Sequence, residues 1–218
     1  QVFAMGVPEG DVEVVGKAEG TGTTIRFYPD ASIFETTEFS YGTILERLRH
    51  EAYLTKGVHT KLHGERSGKR YSFYFEGGIQ SYVKHLNKNK EVINTPPFYI
   101  EKEIKDCMVE ISLQYTDSYT ENIKTFANHI FNPEGGTHLT GFRTALTRVI
   151  NEYARKNSLL KDNEDNLTGE DVREGLTAVI SVKLAEPQFE GQTKGKLGNP
   201  EMRGYVEQVL SEWLSYYL

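Results

Sequence analysis

The chain has 218 residues, 38% of them hydrophobic, which is enough for one large domain or two small domains with real cores. Its 25 Lys and Arg against 31 Asp and Glu give a net charge of −6, which excludes a global basic field for nucleic acid. No stretch approaches about 18 apolar residues and the N-terminus lacks a signal-peptide pattern, so we predict a cytoplasmic location and no membrane partner. The single cysteine, Cys107, excludes an internal disulfide.

The N-terminal part predicts two strands, a helix and a hairpin. Residues 11–15 and 23–28 are rich in β-branched residues and are joined by a polar, glycine-containing connection, which indicates two strands. Apolar residues at helical spacing predict a helix over 40–53. Residues 58–63 and 70–76 then alternate around a five-residue loop, which indicates a β-hairpin.

A domain boundary is predicted at Glu76-Gly77-Gly78, because paired glycines interrupt the pattern just before a new helix begins. The predicted domains are residues 1–77 and 78–218. In the second, residues 107–115 form the most regular predicted strand, and residues 122–128 are predicted to be its antiparallel partner. A long helix is predicted over 139–156, and the following polar stretch is predicted to be a loop.

The C-terminal part predicts a cap, a buried strand and a last helix. Thr168, with Asp171 three residues on, indicates the cap of a short helix. Residues 176–184 alternate, with Ala178, Ile180, Val182 and Leu184 on one face. Asn199-Pro200 opens an amphipathic helix whose predicted core includes Trp213.

The loop Gln188–Lys194 separates the buried strand from the last helix, and such a loop often presents side chains. Lys194 is the strongest candidate, since a lysine reaches a phosphate oxygen as a point charge. From residue types alone, a solvated connection explains the same loop. In the same way, Arg143 on the long helix is explained as an ordinary solvated arginine.

Three long stretches change this interpretation, because they occur in one order at suitable spacing: Glu134–Arg148, Gly169–Leu176 and Pro187–Lys194. Together they resemble the B subunits of bacterial DNA gyrases, a family of GHKL-type ATPases within the type IIA topoisomerases. The paralogous topoisomerase IV subunits are similar. The resemblance covers the whole chain.

The resemblance implies an α+β fold in two parts. Residues 1–77 would be the C-terminal half of a GHKL ATP-binding domain, and residues 78–218 a transducer domain of the ribosomal protein S5 domain 2-like fold. The chain begins at Gln1, so we expect a fragment. The general base, the magnesium ligand and the glycine-rich lid of the family would lie upstream, so this chain alone should not hydrolyse ATP.

The resemblance also implies roles for four residues. Lys194 would contact the terminal phosphate of ATP, with Gln192 beside it. Thr23, in the motif Thr21–Phe27, would bind the adenine through its hydroxyl. Arg143 would line the hole through which DNA passes. The implied cofactors are ATP and Mg²⁺, whose protein ligand would lie upstream.

The implied function is to couple ATP binding and hydrolysis to DNA strand passage and negative supercoiling. The implied partners are double-stranded DNA, the A subunit of gyrase and a second copy held through the N-terminal region. A topoisomerase IV subunit with the same role is an alternative. An S5-like module that binds RNA or protein, and a mismatch-repair or chaperone relative, are further alternatives. The net charge disfavours RNA, and the stretch Glu134–Phe142 argues against the other relatives.

Overall fold

The computed structural model describes all 218 residues, which separate into two compact units, residues 1–44 and 45–218. The helices are α1 (Tyr41–Leu54), α2 (Gly78–Leu86), α3 (Thr137–Lys156), α4 (Gly169–Arg173) and α5 (Glu201–Tyr217). The longer strands are β3 (Thr60–Gly64), β4 (Lys69–Phe73), β5 (Phe98–Ile104), β6 (Cys107–Tyr115), β7 (Asn122–Ala127) and β10 (Leu176–Lys183). Two-residue strands complete the set: β1 (Phe3–Ala4), β2 (Val7–Pro8), β8 (Ile130–Phe131), β9 (Gly135–Gly136), β11 (Phe189–Glu190) and β12 (Lys196–Leu197).

The unit of residues 1–44 contains little regular structure. β1 and β2 form a short antiparallel hairpin, and residues 9–40 contain no strand. The strands predicted over 11–15 and 23–28 are therefore wrong. A strand needs a neighbour for its backbone N–H and C=O groups, and this unit supplies none for these stretches. Their apolar side chains lie in solvent, with Val15 96% exposed.

The larger unit is built on a five-stranded sheet in the order β5-β6-β10-β7-β8. β10 lies at its centre, antiparallel to β6 and parallel to β7. The predicted pairing of 122–128 with 107–115 is wrong, although both strands exist. A tight turn at Lys105 and Asp106, both with positive φ, returns β5 along one edge of β6, and β10 occupies the other edge. No edge of β6 remains for β7.

Both faces of the sheet are covered by helices. Along β10, Ala178, Ile180 and Val182 pack with α3 and α5 as the alternation predicted, while Val179 packs on the opposite face with α1 and α2. Burial on both faces explains why β10 is the central strand. The predicted helices are confirmed to within about two residues at their starts. The prediction that Trp213 belongs to the core face of α5 is wrong, since its side chain is 37% exposed and lies beside Lys102.

Local signals for the smaller elements are also confirmed. β3 and β4 form the predicted hairpin, with Thr60 opposite Phe73. At α4 the Thr168 hydroxyl accepts a hydrogen bond from the Asp171 backbone, and the Asp171 carboxylate accepts one from the Thr168 backbone at 2.7 Å. None of the helices is both long and apolar enough to cross a membrane.

An ionic cluster around the buried Glu110 joins the end of α1 to the sheet. The Lys56 ammonium donates to Glu101 at 2.7 Å and lies 3.2 Å from Glu110, which is almost fully buried. The Tyr99 hydroxyl lies 2.9 Å from an oxygen of each carboxylate. Burial and the neighbouring Glu110 charge raise the pKa of Tyr99, which keeps the phenol neutral.

The α+β class is confirmed, and the domain boundary at residue 77 stays a prediction.

Candidate functional site

The loop that carries Lys194 is the turn of a short hairpin. β11 and β12 pair antiparallel, with Phe189 opposite Leu197 and Glu190 opposite Lys196. Gly191 has φ 77°, a conformation that glycine adopts at no steric cost, and its carbonyl accepts a hydrogen bond from the Lys194 backbone at 3.2 Å. The chain thereby reverses within five residues.

The backbone of this loop is fixed to the segment that leads into α3. The Asn132 side-chain amide donates to the Lys194 carbonyl at 2.8 Å, and the Glu134 backbone donates to the Gly195 carbonyl at 3.0 Å. β12 also pairs in parallel with β9. At Gly136 a Cβ would lie 2.2 Å from the Leu197 carbonyl oxygen, so only glycine permits this approach. Residues 132–136 and 194–197 therefore meet in space.

Lys194 is an unpaired cation on this fixed backbone. Its φ of 56° is left-handed, a conformation that costs a non-glycine residue about 1 kcal/mol. The side chain is exposed and forms no ion pair, and its Nζ lies 5.8 Å from the centre of the Phe189 ring. In contrast, Lys196 contacts Glu190 at 3.1 Å. Gln192 is also exposed in the loop, so a cation and an amide face solvent together.

Arg143 lies on α3, and its side chain is paired. Its Nη2 donates to a Glu121 oxygen, and Nε of Arg173 donates to the other Glu121 oxygen at 2.5 Å. Neither partner was predicted from the sequence. Glu121 lies 22 residues from Arg143 and 52 residues from Arg173 along the chain, so no local spacing relates the three side chains.

The structure places the four predicted residues in three locations. Lys194 and Gln192 share one loop, Arg143 is on α3, and Thr23 is an exposed residue of the unit 1–44. The chain contains no group of three or more His, Cys, Asp or Glu side chains placed to hold a metal ion. The exposed, unpaired ammonium of Lys194 is the kind of group that receives an anionic ligand.

A residue close to the segment that holds the Lys194 loop, His138, was not predicted from the sequence as a notable side chain. His138, in the first turn of α3, is fully buried, and neither ring nitrogen has a hydrogen-bond partner. Burial lowers the pKa of His138 to about 4, so the ring is neutral at physiological pH. The sequence could have predicted the burial of His138, because it falls on the same helix face as the core residues Phe142 and Ala145.

Solved structures define the class of protein to which this fold and loop belong. The 43K ATPase domain of Thermus thermophilus gyrase B, in complex with an aminocoumarin, superimposes with a TM-score of 0.77 and 40% identity, covering 87% of this chain and 51% of that one. The topoisomerase IV ATP-binding domain of Francisella tularensis gives 0.73 and 28% identity, with 87% and 51% covered. The class is thus the ATPase region of bacterial type IIA topoisomerases.

Sequence comparison gives the particular family. The family model for DNA gyrase B matches residues 78–218. The DNA gyrase B subunit of Clostridium acetobutylicum is 54% identical over 219 residues, and that of Halalkalibacterium halodurans is 52% identical over 220 residues. Each match covers 100% of this chain and 34% of the relative. The chain belongs to the DNA gyrase B family, as its three long stretches predicted, and it spans about a third of the length of these relatives.

Proposed function

We propose that this chain is part of a cytoplasmic DNA gyrase subunit that couples ATP binding and hydrolysis to DNA strand passage and negative supercoiling. Family membership supports the activity. One observation on this chain carries the proposal: Lys194 is held in a strained backbone conformation by hydrogen bonds from a second stretch, yet its ammonium group is left without a carboxylate. Such an arrangement is suited to receiving a phosphate.

In this proposal Lys194 contacts the terminal phosphate of ATP, Gln192 lies beside it, and the Thr23 hydroxyl binds the adenine. A fixed cation near a phosphate on which charge develops lowers the barrier to hydrolysis. The contact also differs between the ATP and ADP states, since only ATP carries the terminal phosphate. A ligand shifts a conformational equilibrium only through such differences, so Lys194 would report hydrolysis to the rest of the chain.

The Mg²⁺ that accompanies ATP is proposed to be held outside this chain, as the resemblance to the family implies. The general base is proposed to lie outside it as well. The proposed partners are double-stranded DNA at Arg143, the A subunit of gyrase, and a second copy of this protein held through its N-terminal region. DNA contact by a guanidinium needs no base recognition, which suits a passing duplex.

The decisive experiment replaces Lys194 by alanine in the complete subunit. The affinity for ADP should be unchanged because the adenine and ribose contacts remain. ATP turnover should fall by a factor of about 10² to 10³, the usual loss for one preorganised charge, and DNA supercoiling should be lost. Nucleotide binding, phosphate release and supercoiling are measured on the same preparation.

Lys196→Ala is the matched control. Lys196 lies two residues away on the same hairpin, but its charge is already paired with Glu190. This variant should retain turnover to within about twofold, since an exposed ion pair contributes little. Equal effects of the two substitutions, or full supercoiling by the Lys194 variant, would show that the loop is an ordinary connection.

A further inference from the structure

Two arginines of the larger unit share a single carboxylate. Arg143 of α3 donates to one oxygen of Glu121, and Arg173 at the end of α4 donates to the other oxygen at 2.5 Å. Glu121 directly precedes β7. The three side chains carry two positive charges and one negative charge, so the cluster retains one positive charge in a protein whose net charge is −6.

Both guanidinium groups are positioned by the fold and keep unused donors. Nη1 of Arg173 lies against the backbone of Gly169, where a Cβ would come within 2.6 Å of it. Nε of Arg143 is buried and has no acceptor. A guanidinium has five N–H donors, and each of these side chains forms one hydrogen bond to Glu121. Because the Arg143 side chain is 40% exposed, its outer N–H groups can donate to oxygen atoms other than those of Glu121.

Glu121 is partly exposed and can turn away from the arginines. Its side chain is 30% exposed, against 40% for Arg143 and 18% for Arg173, so its carboxylate can turn into water while the less exposed Arg173 stays in place. Partly exposed ion pairs of this kind contribute little free energy. A phosphodiester presents two non-bridging oxygens to the same pair of donors, and the guanidinium fork matches that geometry.

We propose that Arg143 and Arg173 form one site for a backbone phosphate of duplex DNA, and that Glu121 occupies this site until the phosphate displaces it. The inference rests on the proposed function, which assigns DNA contact to Arg143 alone. It adds Arg173 as a second contact and Glu121 as an internal competitor. Because only phosphate oxygens are bound, the site is independent of DNA sequence.

The test measures binding of the complete subunit to a mixed-sequence DNA duplex by fluorescence anisotropy over a series of salt concentrations. Glu121→Gln removes the competing charge and should tighten binding about two- to fivefold at low salt. Arg173→Gln should weaken binding about as much as Arg143→Gln. The double arginine variant should lower the slope of log affinity against log salt by about 1 in total, because both side chains serve one phosphate.

Glu152→Gln is the matched control. Glu152 pairs with Arg148 on the same helix at 3.1 Å, and its removal should leave DNA affinity unchanged. A gain of affinity by the Glu121 variant alone supports the site and cannot arise from misfolding. Equal effects at Glu121 and Glu152, unchanged binding by the Arg173 variant, or a slope change near 2 would overturn it. A wild-type protein that shows no salt-dependent DNA binding would instead contradict the proposed function.

Discussion

Single side chains in this protein derive their properties from their surroundings in the folded structure. Lys194 and Lys196 are two residues apart, but only Lys196 has a carboxylate within reach. His138 is comparable, since full burial without a partner fixes its protonation state. A buried neutral histidine resists protonation, and the resistance appears as a dependence of stability on pH.

The free energy of unfolding should therefore depend on pH through the protonation of His138. Its pKa is about 4 in the folded chain against 6.5 when unfolded, so the unfolded state binds more protons between these values. The stability is fully present above about pH 6.5, falls as the pH drops toward 4, and stays lost below that. The loss amounts to at most about 3 kcal/mol from this residue. Denaturant unfolding at pH 7 and at pH 4.5 measures it.

His138→Phe should flatten this pH dependence, because it removes the titrating ring. His50 and His85 shift in the same direction, since burial lowers their pKa values, so some pH dependence should remain. His63→Gln is the control, because it also removes one histidine but at an exposed position on β3. Identical profiles for wild type and His138→Phe would show that His138 is not buried as described.

The elements around the Lys194 hairpin meet through backbone contacts at glycine. β9 is only two residues long, yet it pairs with β12 and so fixes the hairpin to the start of α3. Gly136 has φ 132° and lies against the Leu197 backbone. Gly204 on α5 differs, because nothing lies within 4 Å of a Cβ added there. We therefore expect alanine to have opposite effects on stability at these two glycines.

Gly136→Ala should destabilise the chain by more than about 2 kcal/mol, because the added methyl group strains the backbone and separates β9 from β12. Gly204→Ala should stabilise it by about 0.5–1 kcal/mol through helix propensity. Urea unfolding of both variants measures the difference. A neutral Gly136→Ala would mean that β9 and β12 do not approach each other this closely, and the fixed backbone of Lys194 would lose its support.

At the scale of the whole molecule, this chain and its relatives differ in length by about threefold. The matched gyrase B proteins are covered to 34%. Residues 1–218 include Lys194, an exposed lysine without an ion pair that we propose contacts a phosphate. Phosphoryl transfer needs a positioned base and metal charge as well as such a lysine. The resemblance to the family implies that the base and the metal ligand lie outside residues 1–218, and we propose on that ground that this chain contacts ATP without hydrolysing it.

Purified residues 1–218 should show no ATP hydrolysis above the buffer rate. Phosphate release is measured after successive purification steps, with the full-length protein assayed in parallel as the positive control. Turnover that persists at constant specific activity through these steps would place the general base within this chain. In that event the role proposed for Lys194 would need to be re-examined together with the acidic residues near it.

Local pattern in the sequence determined α2, α3, α5, β6, β10 and the cap at Thr168, because helical and strand periodicity and capping depend on residues close along the chain. The three long stretches determined the family, since their length and order are specific. They also indicated Lys194, which is exposed on the hairpin turn and whose role stays a prediction.

Only the tertiary structure decided which distant groups meet. It paired β7 with β10 instead of β6, brought Glu121 to both Arg143 and Arg173, buried His138 without a partner and left Trp213 at the surface. It also left residues 11–28 without strands, since a strand exists only where another strand accepts its hydrogen bonds. These outcomes depend on packing between segments far apart in the chain, and a local pattern carries no information about which segments will be neighbours.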